Sequence, residues 1–105
     1  PEIEAVFAKI SLAKQALDVG PLSELEALVA SDPSNSKARF EYSQALYAAN
    51  NIDEAVAQLL VLFGRDSDWN DGAAKAQLFT IFDALEPNDP IVLNGRRKLS
   101  SMIFA

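Results

Sequence analysis

The amino-acid sequence predicts an all-α fold of three antiparallel helical hairpins stacked as a short array. Apolar residues recur at spacings of three and four in six successive segments, and nowhere do they alternate in the manner of a half-buried strand. Short clusters of Gly, Pro, Asn and Asp separate the segments. The loops so defined are roughly two to seven residues long, which makes consecutive helices antiparallel neighbours.

The first segment covers residues 2–19, with Ile3, Val6, Phe7, Ile10, Ala13 and Leu17 on one apolar stripe, and Gly20 and Pro21 stop it. A short second segment, residues 22–31, is built on Leu25, Leu28 and Val29 and ends at Asp32-Pro33. The third, residues 36–49, carries Ala38, Tyr42, Ala45, Leu46 and Ala49 before Asn50-Asn51 turns the chain. Residues 52–63 form the most apolar segment, through Ala55, Val56, Leu59, Leu60 and Phe63, so it should lie centrally, with Gly64 as its stop. The fifth begins at Asp71, a good N-cap, and runs to Leu85 through Ala74, Leu78, Ile81 and Phe82. Asp89 as N-cap and Pro90 in the first helical position open the sixth, which continues to about residue 104. The hairpins are therefore expected at about 2–31, 36–63 and 71–104, in one domain over residues 1–105.

Composition narrows the chemistry. Half of the 105 residues are hydrophobic and 23% are charged, the balance of a folded domain. There is no Cys and no His, which removes thiol chemistry, cysteine zinc sites, disulfides and imidazole acid-base catalysis. A net charge of −6 argues against a nucleic-acid partner, because phosphate attraction needs a face rich in Lys and Arg. No apolar run approaches the roughly 20 residues of a membrane span. The chain begins at Pro1 rather than Met, which suggests a fragment of a longer protein.

Several patterns imitate active sites. The stretch DSDWNDG at residues 66–72 has the acidic opening of a calcium loop, but Asp71 stands where that loop needs Gly and Gln77 where it needs Glu. These residues read instead as the end of one helix and the cap of the next, with Trp69 and Asp71 structural. Asp53 and Glu54 fit the dipole of a first helical turn. No nucleophile elbow, phosphate-binding glycine loop or metal-spaced ligand set occurs, so no catalytic residue, cofactor or metal is expected.

Two surfaces could bind a partner. On the third helix, Lys37, Phe40, Gln44 and Tyr47 share the side opposite Tyr42 and Leu46. They either line a groove or pack against the first or fifth helix. On the sixth, the run Arg96-Arg97-Lys98 cannot share one face, because successive residues turn by about 100°. Arg96 lies beside a stripe of Val92, Gly95, Leu99, Met102 and Ile103 and is expected to reach Asp71 or Asp89. Gly95 admits a close neighbour. Arg97 and Lys98 face water or an acidic partner, and the apolar end from Met102 to Phe104 either closes the hairpin or anchors a partner.

The middle hairpin, SKARFEYSQALYAANNIDEAVAQLLVLFGRD, resembles a tetratricopeptide repeat, a helix-turn-helix unit of about 34 residues. Ser43 follows Tyr42 at the small position, Ala55 takes the next small position and Leu59 the large one. Arg39 and Ser67 replace the usual Trp and Pro. The resemblance implies a concave groove lined by the first helix of each repeat. Beyond the repeat, RDSDWNDGAAKAQLFTIFDALEPNDPIVLNGRRKLSSMIF resembles the C-terminal domain of the YbbN family, the chaperedoxins, through Trp69-Asn70-Asp71, Asp89-Pro90 and the stretch from Gly95 to Phe104. That resemblance implies a bacterial, cytoplasmic, non-enzymatic adaptor that binds unfolded or oxidation-damaged clients and passes them to the GroEL chaperonin. It also implies an N-terminal thioredoxin-like domain that this sequence does not contain. Two other readings stand beside it: a structural module that docks on such a domain or forms a homodimer, and a generic peptide-binding repeat.

Overall fold

Helix boundaries in the computed structural model, which describes residues 2–104, follow from a few local rules. The helices are α1 (Glu2–Ala16), α2 (Leu22–Ser31), α3 (Ser36–Ala48), α4 (Ile52–Arg65), α5 (Ala73–Ala84) and α6 (Pro90–Ile103), with a single 3₁₀ turn at Trp69–Asp71 between α4 and α5. Asn35 opens α3 by accepting a hydrogen bond from the Ala38 N–H at 2.9 Å. Asp89 opens α6 by accepting one from Ile91 at 2.8 Å, with Pro90 preset for the first turn. Each such cap contributes about 1 kcal/mol.

The core is organised around α4. Ala55 and Leu59 are wholly buried there, and Leu62 is nearly so. Tyr42 and Leu46 of α3, Leu78, Ile81 and Phe82 of α5, and Val92 and Leu99 of α6 complete the interior. Packing runs in sequence order from α2 to α3, α3 to α4 and α4 to both α5 and α6. The first helix is different: it lies chiefly against α5 and α3. Gln15 meets Gln77, whereas residues 2–9 line a cleft with residues 82–86, so α1 runs antiparallel to α5.

Five expectations from the sequence require correction. The face that α1 buries is not the stripe of Ile3, Val6, Phe7, Ile10 and Leu17, all of which are exposed, but the opposite line of Ala8 and Leu12. Both faces of this helix are apolar, and the smaller one continues into Gln15, which has hydrogen-bond partners on α3 and α5. The helix also ends at Ala16, short of residue 19. Gly64 does not stop α4. The helix passes through it to Arg65, and Asp66 closes the end by donating to the Leu62 carbonyl at 2.8 Å.

Asp71 is not the N-cap of α5. It has φ of 58°, between Asn70 at 48° and Gly72 at 79°, and an N-cap side chain needs extended backbone to reach back to the helix. Gly72 occupies the cap position, with no side-chain hydrogen bond. Lastly, Met102 and Ile103 are more than one-third exposed although they continue the buried line of Val92, Gly95 and Leu99. The terminal methyl of Met102 reaches toward Gly64 of α4, which has no side chain to cover it.

Two glycines admit side chains from other helices, with opposite consequences for substitution. A Cβ at Gly95 would stand 2.7 and 2.8 Å from the ring of Phe82, itself 2% exposed, and 3.4 Å from Val56. At Gly64 it would meet only the terminal methyl of Met102, at 3.0 Å. Gly95→Ala is expected to lower unfolding free energy by about 1–3 kcal/mol, overpacking outweighing the gain in helix propensity. Gly64→Ala should be neutral or raise it by up to about 1 kcal/mol, since the Met102 side chain can swing aside. Urea unfolding midpoints of the two variants measure both effects.

Candidate functional site

In a stack of helical hairpins the first helix of each hairpin lines the concave side; α3 and α5 hold that position here, and α1 packs across both. Gln15 and Gln77 exchange two carboxamide hydrogen bonds: Gln15 Nε2 donates to Gln77 Oε1 at 3.2 Å, and Gln77 Nε2 donates to Gln15 Oε1 at 2.6 Å. Gln44 Nε2 adds a third to Gln15 Oε1, at 3.1 Å. Gln77 is only 5% exposed, so these bonds satisfy polar groups that water does not reach freely. One of the expected groove residues, Gln44, is therefore engaged by the protein's own first helix.

Beyond Gln44 the face is open. Lys37, Phe40, Glu41, Gln44, Trp69 and Asn70 line a cavity of about 470 Å³. Its floor is the pair Phe40 and Trp69, with ring centroids 5.2 Å apart and planes inclined at 51°. The consecutive left-handed residues Asn70, Asp71 and Gly72 reverse the chain between α4 and α5 and hold Trp69 on this side of the array. Left-handed backbone costs roughly 1 kcal/mol at a non-glycine residue, less for Asn and Asp. The neighbouring segment is pinned by Ser36, whose hydroxyl donates to Asp66 Oδ2 at 2.7 Å. An aromatic floor, two carboxamides and a Lys and Glu rim can hold an extended polypeptide: apolar contact gives affinity, and the amides pair with its backbone.

The other expected residues fall elsewhere. Tyr47 is half-buried against the core and does not line the cavity. Arg97, Lys98, Met102 and Phe104 are exposed on or just beyond α6, which packs on α4, and they form no part of the Phe40 cavity. Arg96 lies with its guanidinium 5.4 Å from the centre of the Phe82 ring. It does not take the carboxylate partner expected for it: Asp89 accepts from the Ile91 N–H, and Asp71 belongs to the turn. A wider cleft of about 750 Å³ opens where α1 and α5 diverge, with Val6 and Phe82 on its walls and Glu4, Lys9, Glu86 and Arg96 at its edge. Phe82 is closed off by Gly95 and Arg96, so that cleft lacks the accessible aromatic pair that distinguishes the smaller cavity.

Sequence reasoning missed Gln15, Glu41, Asn70 and Gln77 as groove residues. Their signal is weak, because a polar residue on a helix reads as solvated until its neighbour across the groove is known. It noted Arg39 only as an unusual substitution. The structure buries Arg39 to 8% exposure, with Nη1 donating to Gln58 Oε1 at 2.6 Å and Nη2 to the Pro33 carbonyl at 3.0 Å. Burial, and secondarily the charge of Arg65, lowers its pKa from the ordinary guanidinium value. Gln58 in turn donates to Glu54 at 2.9 Å, which relays the buried charge toward a carboxylate.

Among the described residues, no cluster of acidic side chains could hold a metal ion, and no helix is long and apolar enough to cross a membrane. A family model described as a tetratricopeptide repeat matches residues 15–104. No curated protein and no solved structure matches the chain.

Both tyrosines of α3 have raised pKa values. Burial is the main cause for Tyr42, joined by the charge of Glu26, whose Oε2 accepts from the Tyr42 hydroxyl at 3.3 Å. Burial alone raises Tyr47. A pKa raised on folding gives stability that is present below the unfolded value, here 10.0, and lost as pH climbs through the folded one. Phenolate absorbance of the native protein should therefore show both midpoints above 10, and Tyr42→Phe should make the alkaline fall in Tm shallower. Native midpoints at or below the ordinary value would contradict these environments.

Proposed function

The chain belongs to the tetratricopeptide repeat family, and from that premise we propose that the cavity on its concave face receives an extended segment of a partner protein. Repeats of this family are protein-binding modules. The observation that carries the reading is the Phe40 and Trp69 pair, tilted and half-buried, which lines the cavity together with Lys37 and Glu41. Aromatic side chains supply large contact area at little entropic cost, which is why such residues dominate binding energy at interfaces. Gln44 and Asn70 then offer donors and acceptors to the partner backbone, and the rim charges select among sequences.

In its cellular setting the domain acts, on this proposal, as the binding part of a thioredoxin-like co-chaperone in the bacterial cytoplasm, without catalysis of its own. Unfolded or oxidation-damaged clients present the extended segments that such a cavity takes. The exposed end of α6, with Arg97, Lys98, Met102 and Phe104, is the surface offered to a GroEL-type chaperonin. Support for this finer reading comes from the resemblance of residues 65–104 to the YbbN family. Phe104, 82% exposed, is an accessible apolar anchor at the C-cap of that helix.

Trp69 is the only tryptophan, so its emission reports on the cavity alone. Titration with an unfolded, reduced client protein is expected to shift that emission with micromolar affinity, and Phe40→Ala should weaken binding by about 1–2 kcal/mol. Binding undiminished in Phe40→Ala would place the client elsewhere. Immobilised domain is expected to retain purified GroEL, and loss of retention in Phe104→Ser would assign the contact to α6. No retention at all would refute the chaperonin role.

A further inference from the structure

The outward face of α1 has no role in the fold. Ile3, Phe7, Ile10 and Lys14 succeed one another at intervals of four, three and four residues, the spacing of a two-helix seam, and Leu17 follows three residues on in the turn just beyond the helix. Val6 widens the stripe, and Phe7 is 67% and Leu17 84% exposed. Stacked helical arrays tolerate water at an outer face when that face is polar, and this one is not. The buried residues Ala8 and Leu12 lie on the other side of the helix, so α1 can hold its own body and a second helix together.

Charge identifies the second helix. The first turn of α1 carries Glu2 and Glu4, and its last turn carries Lys14. Laid antiparallel on a copy of itself, with Phe7 against Ile10 of the copy, α1 brings Lys14 of each chain beside Ile3 of the other, between Glu2 and Glu4. The same two-fold relation repeats every contact, as an isologous interface requires. We propose that α1 is a homodimerisation helix, pairing antiparallel with α1 of a second copy of this chain through Ile3, Phe7 and Ile10, with Lys14 closing each end against Glu2 and Glu4.

A helix of this length spans about 22 Å. The interface is correspondingly small, and the dimer should dissociate in the range of about 10–100 µM. This surface shares no residue with the Phe40 cavity, so the inference stands apart from the proposed peptide binding.

Sedimentation equilibrium across that concentration range tests it. The expected result is a mass rising from the 11.4 kDa of the monomer toward twice that value. Phe7→Asp, at an exposed position that leaves the fold intact, should weaken association at least about tenfold by placing a charge in the central layer. Lys14→Glu should weaken it about three- to tenfold, and Glu2→Lys with Glu4→Lys in the same chain should restore it. A protein that stays monomeric at millimolar concentration overturns the proposal and leaves the stripe to a foreign helix. A dimer indifferent to both Phe7→Asp and the charge exchange overturns it equally, because it must then form through another face.

Discussion

The carboxamides of Gln15 and Gln77 each donate to the other, and this reciprocal pair fixes how α1 lies against the rest of the molecule. Apolar contact alone would not do so, since α1 carries apolar residues on both of its faces and the hydrophobic effect has no direction. A buried amide is less forgiving. Rotating α1 to bury Phe7 and Ile10 would strip Gln77 of its partner at a cost of about 1–3 kcal/mol. The pairing therefore selects the face of Ala8 and Leu12, and three features follow from it. Part of the concave surface is filled by the protein itself, the cavity at Phe40 and Trp69 is left as the open remainder, and the larger apolar stripe is turned outward.

That arrangement rests on a scaffold fixed independently of α1. The Gly95 contact lets α6 approach the Phe82 ring closely, while α4 runs through the centre with Leu59 and Leu62 sealed from water. Between α3 and α4, the chain of donors from Arg39 through Gln58 to Glu54 supplies hydrogen bonds to a charge that burial would otherwise penalise. The guanidinium also reaches the Pro33 carbonyl, which ties the α2 to α3 loop to the base of α3. The cavity-lining face of α3 thus stands on a helix held from below and at its N-terminal end.

Much of this was legible in the sequence. The all-α class and the six helices follow from periodicity, and α2 begins and ends where its flanking prolines dictate. The common side of Lys37, Phe40 and Gln44 follows from the helical repeat. What could not be read depended on partners distant in sequence. Gln15 and Gln77 are 62 residues apart, and nothing local distinguishes them from solvated glutamines. The burial of α1 was misjudged because its bulkier stripe promised more apolar area than the line that packs. Asp71 failed as a cap for a different reason: Gly72 permits a left-handed turn that recasts the two residues before it, and cap statistics assume extended backbone.

The central claim is that Gln15 and Gln77 are energetically coupled across the concave face, and a double-mutant cycle in unfolding free energy tests it directly. Gln15→Ala, Gln77→Ala and the double variant should show coupling of about 1 kcal/mol or more, the double variant being less destabilised than the sum of the two single ones. Additivity within about 0.3 kcal/mol would contradict the account. The two side chains would then not be paired in solution, and α1 would be free to present a different face to the groove.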